Sequence, residues 1–131
     1  MREILFRGKR KENSQWVIGF LSKTRGLDNK LHICIDYEEK GLMCLSIVVP
    51  STIGQYTGLT DKNGKKIFEG DIVQGAWETI FAVYYDSNYL QYRAKVKENY
   101  TREIDYYGNS TQIEVIGNIH DNKLEDFWNG H

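Results

Sequence analysis

Proline occurs once in the 131 residues, at Pro50, and cysteine only twice, at Cys34 and Cys44. Scarce proline beside nine tyrosines and many β-branched residues argues against disorder and against a helical bundle. Neither cysteine has a Cys or His neighbour at zinc spacing or a CxxC partner, so both read as buried free thiols in strands. Charge of one sign is also missing: 17 basic residues stand against 18 acidic ones, too balanced to draw the whole chain to nucleic acid or to an anionic membrane. No apolar run approaches the roughly 20 residues that span a bilayer. The start, Met1-Arg2-Glu3-Ile4, lacks the apolar stretch of a signal peptide, so the expected location is intracellular with no membrane partner. Asn99-Tyr100-Thr101 and Asn109-Ser110-Thr111 match the glycosylation triplet, but in that setting they read as turns.

What remains is a strand-rich chain long enough for one core, read as a single domain over residues 1–131. Ile4 to Phe6 reads as a first strand, followed by a polar turn from Arg7 to Ser14. Trp16 to Leu21 alternates with apolar residues on both faces, which predicts a central strand. Leu31 to Ile35 and Met43 to Val49 make strands three and four, and Pro50 closes the fourth. Asn63-Gly64 supplies the positive φ of a tight hairpin turn, so Asp61 to Lys65 joins Gln55–Thr60 to Lys66–Phe68. Glu69-Gly70-Asp71 is a second sharp turn before Ile72-Val73. Thr79 to Tyr85 is apolar on both faces, Tyr89 to Val96 is its return strand, and Gln112 to Ile119 is the last. Residues 97–111 carry no clear boundaries. Asp121-Asn122 would cap a short terminal helix carrying Leu124, Phe127 and Trp128. The predicted fold is mainly β: small barrel-like or SH3-like antiparallel sheets with a short C-terminal helix.

Chemistry-bearing motifs are few. Gly58 and Gly64-Lys65 look like a phosphate loop, but five residues separate the glycines and Lys66 follows where a Ser or Thr is needed. Asp61, Glu69 and Asp71 form the one close carboxylate group near loops. Asp71 is the best hydrolase candidate among them, although an Asp there ordinarily bonds the amides of its own turn. His32, His120 and His131 are scattered, without metal or triad spacing, and no cofactor or metal is expected. Arg7, Lys9, Arg10 and Lys11 cluster in one turn, with Lys62, Lys65 and Lys66 in another. With Tyr56, Tyr84, Tyr85, Tyr89 and Tyr92 they would suit single-stranded nucleic acid.

Six segments taken in order, Arg2–Lys9, Trp16–Gly19, Gly54–Leu59, Asp61–Lys65, Ile67–Val73 and Val115–His120, resemble the YopX family. The resemblance implies a phage or prophage protein of Gram-positive bacteria, mainly β and barrel-like, with no assigned activity. It supplies no catalytic residues. Gln55, Tyr56, Gly58, Asp61, Asn63, Gly64, Glu69, Gly70 and Asp71 are signature turn positions without a role. Turn geometry explains the glycines and Asn63, and Tyr56 would pack across the hairpin.

The leading reading is a non-catalytic β module in the bacterial host cytoplasm that binds a host or phage protein. Nucleic-acid binding through Arg7, Lys9, Arg10, Lys62 and Lys65 is the alternative, and a hydrolase using Asp71 the second. Self-association is expected too, because a strand apolar on both faces, such as Thr79 to Tyr85, needs cover that a partner copy would provide.

Overall fold

The computed structural model describes residues 3–97, 100–109 and 111–128. Both glycosylation-type triplets include a residue outside that set, as Asn99 or Ser110, and His131 lies outside it as well. The described residues are mostly strand, arranged in two antiparallel sheets with one short helix. Neither sheet closes into a barrel. The chain divides into two compact units, Met1–Tyr56 and Thr57–His131, each with its own hydrophobic cluster where one core was expected.

The first unit contains β1 (Phe6–Lys9), β2 (Trp16–Arg25), β3 (Leu31–Glu39), β4 (Leu42–Ile47) and the start of β5 (Gly54–Thr60). Their order across the sheet is β4-β3-β2-β1-β5. Arg7 to Lys9 extend β1 rather than forming a turn, because Lys9 lies opposite Trp16 in the β1–β2 ladder. The β3–β4 hairpin turns through Lys40 (φ 52°) and Gly41 (φ 79°), the pair of positive values that a two-residue turn requires. An isolated bridge, Arg10 to Val48, returns the end of β4 toward the end of β1, where Lys11 donates its amide to the Ile47 carbonyl (2.9 Å). That contact makes the sheet barrel-like without a continuous closing ladder. Pro50 ends the strand region and opens a single 3-10 turn to Thr52. Val17, Ile35 and Val48 form the core, with Phe6, Ile33, Tyr37 and Ile53 packed against it.

The second unit begins with the rest of β5, which pairs with β6 (Lys66–Phe68). Then come β7 (Asp71–Gln74), β8 (Ile80–Asp86), β9 (Gln91–Lys97), β10 (Tyr100–Glu103), β11 (Glu114–Asn118) and α1 (Leu124–Trp128). The sheet order is β10-β9-β8-β7-β11. Its core gathers Ile67, Val73, Phe81, Val83, Ala94, Ile104 and Ile113. Burying a side chain such as Phe81 contributes about 1.5 to 3 kcal/mol. In β8, Ile80, Phe81, Ala82 and Val83 are all buried within the chain itself. This strand therefore needs no second copy to cover it, which removes the argument for self-association drawn from its two apolar faces. The helix starts later than expected. Asn122 Oδ1 accepts the Asn118 amide (3.4 Å) instead of capping, and Asp126 reaches back to the Lys123 amide (3.4 Å).

Candidate binding surface

The signature turns are held by their own polar groups. Asp61, 4% exposed, ends β5 and takes three amides: Asn63 and Lys65 on Oδ1 at 2.9 Å each, and Val115 of β11 on Oδ2 at 3.0 Å. Burial pushes its carboxyl pKa up, but the Val115, Lys65 and Asn63 amides outweigh burial and hold it below the usual carboxylate range. Gly64 (φ 78°) completes the hairpin that Asn63-Gly64 announces. Asp71, 1% exposed, accepts the Phe68 amide on Oδ2 at 2.7 Å across the turn of Glu69 and Gly70. Gly70 (φ 94°) donates to the Val83 carbonyl (2.8 Å) and accepts from Ile119 (2.8 Å). Gln55 lies opposite Phe6, Tyr56 is buried and donates its amide to the Leu5 carbonyl (2.8 Å), and Gly58 has φ 90°. These positions build backbone geometry. A carboxylate buried under amide donors is poorly placed to act as a general base toward a solute.

The basic residues are divided between the two units. Arg7 and Lys9 both lie over the Trp16 ring, at 4.8 and 5.5 Å from its centroid, and Arg7 is only 8% exposed. Arg10 instead lies over Tyr37 (5.3 Å) and bonds its hydroxyl. A groove of about 330 Å³ touches Arg10, Trp16 and Tyr37 but is also lined by Glu38 and Glu39, which offsets its charge. Lys62 and Lys65 belong to the second unit, where Lys62 stands 3.8 Å from Glu114.

The tyrosines singled out as stacking faces are mostly engaged. Tyr85 and Tyr92 form an edge-to-face pair at 5.2 Å, Tyr84 donates to Asp86 (3.0 Å), and the exposed Tyr89 carries the Arg93 guanidinium at 4.1 Å. Among the described residues no group of His, Cys, Asp and Glu is arranged to hold a metal ion. His32 is bonded to Asp28 (3.0 Å), whose pKa is lowered first by the Lys30 amide and then by His32. Among the described residues no helix is long and apolar enough to cross a membrane.

A different surface stands out in the first unit. Residues opposite one another in a ladder share a face, as do residues two apart in a strand. Phe20 faces Asp36, Asp36 faces Leu45, and Glu38 faces Met43, so Ile18, Phe20, Leu45 and Met43 occupy one face of β2, β3 and β4. All four are exposed, at 48%, 60%, 50% and 70%, with Asp36 and Glu38 of β3 between them. Sequence reasoning missed this face because apolar residues on both sides of Trp16–Leu21 read as a fully buried strand. β2 is indeed central, between β1 and β3, yet only its Val17 and Gly19 side is covered. Cys44 on β4 is likewise part-exposed rather than buried, whereas Cys34 is fully buried and its thiol pKa is raised by burial and by Asp36.

A mostly β fold of two antiparallel sheets, with glycine and Asn-Gly turns at fixed places, defines a class of small all-β proteins. Within that class the family model described as YopX protein matches residues 5–125, nearly the whole chain, so this chain belongs to the YopX family. Among solved structures it is similar to the crystal structure of protein EF1440 from Enterococcus faecalis. That match has a TM-score of 0.54 and 20% identity, covering 93% of this chain and 96% of that one, and speaks to the fold alone. No curated protein matches the chain.

Proposed function

We infer that this protein is a non-catalytic accessory module of phage or prophage origin, acting in the bacterial cytoplasm, that binds a host or phage protein through the exposed face of β2–β4. The observation that carries this reading is the set Ile18 and Phe20 of β2 with Leu45 and Met43 of β4, exposed on one face on either side of Asp36 and Glu38 of β3. Two exposed apolar pairs flanking a pair of carboxylates suit a partner surface that offers both apolar and basic groups. The engagement of Asp61 and Asp71 by backbone amides weighs against hydrolysis. The mixing of Arg10 with Glu38 and Glu39 in one groove weighs against a nucleic-acid track.

The test is recovery of tagged protein from host cells carrying the phage, with and without nuclease, comparing the native chain with Phe20→Asp. A specific protein that survives nuclease and is lost with Phe20→Asp supports the reading. Recovery that disappears with nuclease overturns it in favour of nucleic acid, whose binding would weaken steeply with salt.

A further inference from the structure

Edge strands are ordinarily guarded by charge, proline, a bulge or a covering segment, because their free backbone groups pair with any strand that arrives. β4 is the outermost strand of its sheet, and its sequence, Leu-Met-Cys-Leu-Ser-Ile, contains neither charge nor proline. Its pairing with β3 runs without a bulge. Leu42 and Met43 are each 70% exposed.

Backbone geometry identifies the open groups. Successive residues of a strand point their N–H and C=O to opposite sides. Val48 donates its amide to the Ile33 carbonyl of β3 (3.2 Å), so Ile47, Leu45 and Met43 point theirs away from β3. The Ile47 carbonyl is taken by the Lys11 amide. Met43 and Leu45 are left facing outward, with no other described strand beside them.

We propose that the chain forms a two-fold dimer in which the open edge of β4 pairs antiparallel with β4 of a second copy. The axis passes through Cys44, so Met43 of each copy meets Leu45 of the other and each pair exchanges both backbone bonds. Two open residues flanking one position make the edge self-complementary, as an isologous contact requires.

Charge supports the same occupant. Glu38 and Glu39 stand opposite Met43 and Leu42 at one end of β4, while Lys11 stands beside its other end. Antiparallel pairing brings the acidic end of each copy to the basic end of the other. Among the described residues Lys11, Glu38 and Glu39 make no ion pair, so these charges are available. A groove of about 350 Å³ lined by Arg10, Lys11, Glu12, Leu45, Ser46 and Ile47 lies along this edge. A two-fold axis normal to the sheet also sets both Phe20 faces on the same side. This inference goes beyond the binding proposed above and does not depend on it.

The axis makes Cys44 a reporter. It would face its counterpart in a non-hydrogen-bonded pair, whose Cα atoms lie about 4.5 Å apart, within reach of a disulfide. Diamide would take the two thiol hydrogens, becoming the hydrazine, as the sulfur–sulfur bond forms.

The experiment is light scattering on the full chain at micromolar concentration, followed by diamide and a non-reducing gel. The mass should be twice the 15.3 kDa of one chain. Leu45→Lys, with an unchanged circular dichroism spectrum, should halve it, and Leu27→Lys, in the loop after β2, should leave it unchanged. The crosslink should vanish in Cys44→Ser and persist in Cys34→Ser. A single-chain mass with no crosslink in the native chain overturns the proposal. So does a dimer that survives Leu45→Lys, or a crosslink that survives Cys44→Ser.

Discussion

Replacing Asp61 by asparagine should destabilise the second unit by about 2 kcal/mol near neutral pH, and the difference should fade in acid. The native carboxylate satisfies Asn63 and Lys65 with one oxygen and Val115 with the other. Asparagine keeps one acceptor, which serves the two turn amides, but presents an NH2 to the Val115 N–H, donor against donor. The loss is one charge-assisted bond, about 1.5 to 3 kcal/mol, with a small weakening of the other two. Because the folded-state pKa is depressed, the carboxylate's contribution is fully present above the unfolded value of 3.8. It is lost as pH falls through the lower folded value, so the two proteins converge in acid. Urea unfolding at several pH values measures the gap, and hydrogen exchange at Val115 reports the bond directly. Val115 protection in Asp61→Asn equal to native, or a gap that stays constant below about pH 4, would refute the reasoning.

Gly19→Ala would set a Cβ 2.0 Å from the Asp36 carbonyl oxygen, a backbone atom that cannot yield without parting β2 from β3. A cost of at least about 3 kcal/mol is expected in chemical denaturation, and a native-like midpoint would contradict that close approach. Asp71→Asn should lower stability by about 2 kcal/mol, since the buried Phe68 amide loses a charged acceptor. An Asp71→Asn chain as stable as the native one would show that this carboxylate is not structural. Phe20→Asp, at a side chain 60% exposed, should cost about 1 kcal/mol by thermal melt, because the new carboxylate faces Asp36 across the β2–β3 ladder. A large loss would mean that Phe20 is a core residue and its face is not free.

Local turn chemistry was legible in the residues. Asn63-Gly64 placed the β5–β6 hairpin, Gly70 the β6–β7 turn and Pro50 the end of the β4 region, because each needs a φ or lacks a donor that only a few residues tolerate. What depends on packing was not legible. The split falls between Tyr56 and Thr57, inside β5, where no linker composition marks it. Trp16–Leu21 carries the pattern of a strand buried on both faces, and only the cross-strand register shows that Ile18 and Phe20 are left in solvent. The same register moved Arg7 and Lys9 from a solvated turn onto Trp16. Asp121 and Asn122 read as helix caps, but their side chains serve the turn at Asn118, where Asn118 Nδ2 donates to Asp121 (3.0 Å) and the Asn118 amide to Asn122 Oδ1 (3.4 Å).

Binding through the face of β2–β4 is tested most directly by amide hydrogen exchange on the purified chain, with and without the protein recovered from host cells. Slowed exchange concentrated in Ile18–Leu21 is the predicted result. Protection confined to the Asp61–Lys65 turn, with β2 and β4 exchanging as in the free chain, would contradict it.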